Sequence, residues 1–221
     1  MEHSPHGAQQ TRRGLRRRRT LRWRRVRVIL AAGLVLGVGA FATIAAWTDT
    51  ENATGTFGTS VFATESQSAG SPTYAGHPTA PGAALAFNAT AMSPGTSFYA
   101  WLNIRTTPAS TVGGTVTLTG ATPSGALAPA LQYRAVRMAG PSPGSACDAT
   151  AFSGSPTFIA GSSSTYLAVT QVPASPVASA IGAAGAQLGF CIEVRVAPGS
   201  DNSYQGQAAT VTWTFTATSA S

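Results

Sequence analysis

Lysine is absent from the 221 residues, and only three histidines and two cysteines occur. His3 and His6 lie near the start, so His77 is the one histidine in the main body of the chain. A zinc hydrolase needs three protein ligands, usually including two histidines, and no His-Glu-x-x-His is present. A Ser-His-Asp triad would have to use His77, and no nucleophile motif surrounds any serine. Paired carboxylates for glycoside hydrolysis are equally scarce: Glu193 and Asp201 are near neighbours, but Glu193 shares the polar side of a strand with Arg195, which reads as solvent surface. Neither a phosphate loop nor a Gly-x-Gly-x-x-Gly follows a strand. The sequence therefore offers no catalytic residue, metal set or cofactor site.

The charge that is present is unevenly placed. The net charge is +7, which by itself suggests nucleic acid. Yet residues 1–27 hold ten arginines against one glutamate, whereas residues 46–221 hold four arginines against six acids. A faintly acidic main body argues against a nucleic-acid surface. Arg16 to Arg19 instead form part of a basic head directly before an apolar run, the arrangement of an export n-region.

That run, Val28 to Trp47, is 20 residues without a charge. An α-helix of about 20 apolar residues spans a bilayer core of roughly 30 Å. The arginines would stay cytoplasmic, placing everything after Trp47 outside. Thr43 and Ala45 put small side chains at the −3 and −1 positions before Ala46, where a signal peptidase would cut; Ala40-Phe41-Ala42 is a second site, and an uncleaved anchor is the alternative. The expected organisation is a basic head (1–27), an apolar signal or membrane helix (28–45) and an exported domain (46–221), secreted or displayed on the cell surface.

The exported part reads as all-β. Residues 66–83 and 139–157 mix Ser, Gly and Pro and read as loops. Elsewhere apolar side chains alternate: Phe98, Ala100, Leu102, Ile104; Val116, Leu118; Leu131, Tyr133, Ala135; Phe190, Ile192, Val194, Val196; and Val211, Trp213, Phe215, Ala217 between threonines. Successive strand side chains point to opposite faces, so each run buries one face and wets the other. Turn residues separate the runs, no helical period appears after residue 50, and Ala178 to Ala186 reads as loop. Many short strands with Gly and Pro turns predict an antiparallel β-sandwich of jelly-roll type.

Cys147 and Cys191 both lie beyond the apolar segment, where oxidation is possible, and a disulfide is the simplest reading. Tyr99 and Trp101 sit opposite Phe98, Leu102 and Ile104. Either that strand is buried on both faces, or the two rings form a contact patch.

Three segments together resemble a known family. Ala45-Ala46-Trp47-Thr48-Asp49 with Ala53-Thr54-Gly55-Thr56-Phe57 resembles the junction of SipW-type signal peptides. Leu85 to Met92 with Ser93-Pro94-Gly95 resembles the turn opening the first long hairpin of the TasA/camelysin family, and Asn202 to Gly206 before Val211-Trp213-Phe215 resembles its closing strand. The cysteine pair and the Ala/Thr-rich composition look like an actinobacterial branch. The resemblance implies cleavage between Ala45 and Ala46, a jelly-roll fold and a role as a biofilm-matrix fibre subunit. It also carries a metalloprotease label, which the missing histidine cluster does not help. The expected function is therefore a matrix or surface subunit assembling by β-strand addition. Trp47, Phe57, Val61 and Phe62 lie in the candidate donor segment, which would pair with its own sheet or with a neighbour's open edge. The rival is an adhesin or carbohydrate-binding module using Tyr99 and Trp101. Expected partners are signal peptidase, the membrane before cleavage, and further copies or cell-wall components.

Overall fold

The structure, a computed structural model, describes residues 23, 25–30, 58–87, 89 and 91–221. The chain divides into two compact units, Met1–Thr56 and Phe57–Ser221. Of the first, residues 23 and 25–30 are helical. The remainder of the expected signal segment, with Thr43, Ala45, Ala46 and Trp47, lies outside the described residues, as does Phe57.

The second unit is all-β. Its strands are β1 (Thr64–Ser68), β2 (Ser97–Thr106), β3 (Gly114–Ser124), β4 (Leu131–Arg137), β5 (Thr157–Ala160), β6 (Leu167–Ala168), β7 (Ser179–Ile181), β8 (Gln187–Val196) and β9 (Thr210–Ser219). They form a six-stranded sheet ordered β1-β2-β8-β4-β5, with β6 also on β4, and a three-stranded sheet ordered β7-β3-β9. The named strands pair antiparallel throughout.

The alternation in the sequence is what builds the core. Leu102 and Ile104 of β2, Leu131, Tyr133 and Ala135 of β4, and Phe190, Ile192, Val194 and Val196 of β8 meet Val116 and Leu118 of β3 in a single hydrophobic cluster. Val211, Trp213, Phe215 and Ala217 of β9 pack against it while half-buried. Aromatic contacts tie the sheets together: Phe190 to Phe215 at 5.1 Å and Tyr133 to Trp213 at 5.7 Å between ring centroids. Both sheets feed one core, a sandwich-like arrangement.

Two stretches read as loops contain strands. Ser66, Gln67 and Ser68 belong to β1, although the region has no aliphatic side chain larger than alanine. Polar contacts hold that strand instead: Glu65 pairs with Arg105 across the ladder at 2.8 Å, and the fully buried Ser68 hydroxyl donates to the Ala84 carbonyl. Likewise Ser179–Ile181 forms β7 on β3, where Ser179 and Ile181 turn inward. Hydrophobic periodicity cannot register strands held by backbone and hydroxyl bonds. At the far end of the 139–157 stretch, Thr157 already belongs to β5.

Tyr133 is fully buried and its hydroxyl donates to the Gln171 carbonyl at 2.9 Å. Burial pushes its phenol up to about 12. Between pH 10 and 12 the unfolded chain therefore loses a proton that the native state keeps, so stability falls as pH rises through that window. Alkaline titration of the urea midpoint should show a loss beginning near pH 10 that Tyr133→Phe reduces. A flat profile in the wild-type protein would contradict the assignment.

Candidate functional site

The outer face of the six-stranded sheet, away from the shared core, carries a cluster of charged and aromatic side chains. Antiparallel register stacks its side chains in rows. Ser97, Arg195 and Gln132 face one another across β2, β8 and β4; Tyr99, Glu193 and Arg134 form the next row; Trp101, Cys191 and Val136 the next. Directly opposite side chains in such ladders lie close enough to interact.

Residues 139–156 fold back over these rows. A disulfide joins Cys147 to Cys191, with 5.2 Å between their Cα atoms. The buried Asn103 clamps Ser142 from both sides of its amide, accepting from the Ser142 N–H at 2.9 Å and donating to its carbonyl at 2.7 Å. Gly189 leaves room for this cover, since a Cβ there would strike the Gly140 carbonyl and Pro141. Phe152 enters the gap and packs on Tyr99 and Phe158, with ring centroids 5.9 and 6.3 Å away. Val136, Met138, Phe152 and Cys191 thus form a second hydrophobic cluster, against which Tyr99 and Trp101 pack. Of the two arrangements open to those rings, the structure has β2 packed on both faces, with Tyr99 and Trp101 half-buried.

Glu193 corrects the sequence reading. It is not a solvated surface group but only 1% exposed. The alternation places it on the outer face, as expected, and the cover together with Tyr166 then shuts water out. One oxygen accepts from the Tyr166 hydroxyl at 2.6 Å and from the Ser97 hydroxyl; the other takes the Arg134 Nε at 2.7 Å. Arg134 further donates to the Ser163 carbonyl at 2.8 Å. Tyr166 stacks on both arginines, 4.6 Å from the Arg134 guanidinium and 3.4 Å from that of Arg195. Burial, then the hydrogen bond to Glu193, raises the Tyr166 phenol above its ordinary value; burial and then the Glu193 charge do the same to Tyr99. A carboxylate so enclosed is a structural anchor. Ser97, Tyr166 and Arg134 of its own chain all donate to it, which holds the side chain in place.

Elsewhere, His77 Nδ1 lies 2.8 Å from the Ser66 hydroxyl. Asp201 is exposed and caps the short helix Asn202–Tyr204 by accepting from the Ser203 N–H at 2.7 Å. Among the described residues, no group of three or more His, Cys, Asp and Glu side chains is placed to hold a metal ion.

The sheet edges are the second candidate surface. β1 is closed, because Ser66 exchanges both backbone bonds with Ala75 at 2.9 and 3.2 Å. The edges at β5, β6 and β7 are only four, two and three residues long. β9 is ten residues long and, among the described residues, pairs with β3 alone. The Ala220 amide donates to the Gly113 carbonyl at 2.9 Å, so alternation turns the amides of Ser219 and Ala217 away from β3. Just before β1, Val61 and Ala63 are held by their own chain: their amides donate to the Thr111 and Ser110 hydroxyls at 2.8 and 3.1 Å. Phe62 packs against the core, while Val61 is 45% exposed.

No protein-family model matches the chain, and no curated protein matches it. The site therefore stands on its own geometry.

Proposed function

We propose that this chain is an exported structural subunit of the cell surface or extracellular matrix, similar to the TasA/camelysin group. Its domain would be a jelly-roll sandwich, and its copies would join by strand addition. The supporting observation is the ten-residue edge of β9, which among the described residues pairs with β3 alone. A long edge with unpaired N–H and C=O groups is a template for another strand, and proteins usually blunt such edges. Here the other edges are capped or short, and this one is left long.

The donor in this proposal is the segment from Ala46 to Phe57 of a neighbouring copy, released by cleavage between Ala45 and Ala46. It precedes the residues that dock on their own chain, since Val61 and Ala63 are already bonded to Thr111 and Ser110. Export through a basic head and an apolar segment would place the protein outside the cell, with signal peptidase acting on it in passing.

The test is deletion of residues 46–57 from the mature protein. Circular dichroism should report an unchanged fold, and electron microscopy should show fibres from the intact protein and none from the truncated one. Fibres from the truncated protein would rule out this donor. N-terminal sequencing of protein recovered from the medium should begin at Ala46.

A further inference from the structure

We infer that Arg195, with Tyr166 and Gln132, forms a binding site for a carboxylate-bearing small ligand on the outer face of the six-stranded sheet.

The inference begins with charge. Arg134 and Arg195 flank one tyrosine ring, and one carboxylate, Glu193, faces them. Both oxygens of that carboxylate are taken by Ser97, Tyr166 and Arg134. The ion pairs of the described residues are Arg105–Glu65 and Arg134–Glu193, and neither includes Arg195. The local sum of two guanidinium groups and one carboxylate leaves Arg195 without a counter-charge.

Hydrogen bonding points the same way. The Arg195 Nε is buried and, among the described residues, has no acceptor. Its Nη2 has one, the Gln132 side-chain oxygen, at a long 3.3 Å. Nε and one Nη form the side-on edge of a guanidinium, which matches the two oxygens of a carboxylate. The Gln132 oxygen marks where one ligand oxygen would sit, and the orphaned Nε marks the second. Tyr166, 3.4 Å from the guanidinium carbon, already fixes the plane. Arginine held flat on an aromatic ring loses little freedom on binding, the preorganisation that a small polar ligand needs. Arg195 as a whole remains partly exposed, and in this proposal the Gln132 side chain gives way to the ligand.

The fork itself favours any anion with two paired oxygens over a spherical halide, and a single guanidinium with a buried Nε favours a singly charged carboxylate over inorganic phosphate, whose second charge would stay unanswered out of water. A planar acid meets both donors of the fork, whereas chloride meets one. A free organic acid and an acidic sugar share this group and differ in what lies beyond it.

The experiment uses the full chain in neutral detergent, with the Arg195 side-chain N–H followed by nuclear magnetic resonance at constant ionic strength. Acetate should shift that signal saturably. D-glucuronate binding about tenfold tighter, a gain of roughly 1.4 kcal/mol, assigns an acidic sugar; equal affinity assigns the carboxylate alone. Gln132→Glu supplies a carboxylate from the chain itself and should abolish the acetate response while raising the melting temperature. The proposal is overturned if chloride or inorganic phosphate shifts the signal as strongly as acetate. It is also overturned if acetate gives no saturable shift, or if Gln132→Glu responds like the wild type.

Discussion

Glu193→Leu should be among the most damaging single substitutions in the protein, costing about 3–5 kcal/mol. Glu193 is 1% exposed and Arg134 is 13% exposed on its side chain. Removing the carboxylate leaves a guanidinium that is largely out of water with its charge unanswered. The Tyr166 and Ser97 hydroxyls lose their acceptor at the same time. Restoring neutrality by a second change, Arg134→Met, should recover a large part of the loss, because a buried ion pair replaced as a unit by apolar groups is often near neutral. A double-mutant cycle in urea reads the coupling directly. Should Glu193→Leu alone cost under about 1 kcal/mol, the residue behaves as an ordinary surface charge and the enclosed cluster is misdescribed.

Breaking the Cys147–Cys191 bridge should cost about as much by a different route. The two residues are 44 apart in sequence. Closing a loop of that length restricts the unfolded chain by about 4 kcal/mol on the chain-entropy account. Cys147→Ala is the better variant, since Cys191 is fully buried and packs as a small apolar group in the second cluster. The urea midpoint should drop in Cys147→Ala and should no longer respond to reductant, whereas the wild type should fall to a similar value when reduced. The local effect separates cover from scaffold. Amides of residues 139–156 should exchange faster in the variant, while those of β2 and β8 keep their order of protection. An unchanged midpoint on reduction would contradict the assigned role.

Much of the core was legible from the sequence, because alternation is a direct consequence of strand geometry. Leu102 and Ile104, Leu131, Tyr133 and Ala135, and Phe190, Ile192, Val194 and Val196 all reach the shared core. The candidate site was not legible in the same way. Period two separates the faces of a strand and says nothing about what later covers the polar one. Glu193 therefore looked solvated. One signal was available: Cys191 and Glu193 are two residues apart and share a face, so a bridge from Cys147 must bring the 139–157 stretch onto that face. The ring pair at Tyr99 and Trp101 is explained by the same cover. β1 escaped notice because its inward side is serine rather than aliphatic, and Arg195 because its lack of a partner emerges only from the register.

The pairing of β3 with β9 has a temporal side. Thr119 meets Thr216, 97 residues further along. A ribosome reaches the second partner long after the first has emerged, and until then the hydrogen-bonded neighbour of β3 is limited to the three residues of β7, themselves late in the chain. Such distant pairings fold slowly. Until β9 is made, β3 thus lacks the partner that covers nearly its whole length, and the smaller sheet closes only with the final strand.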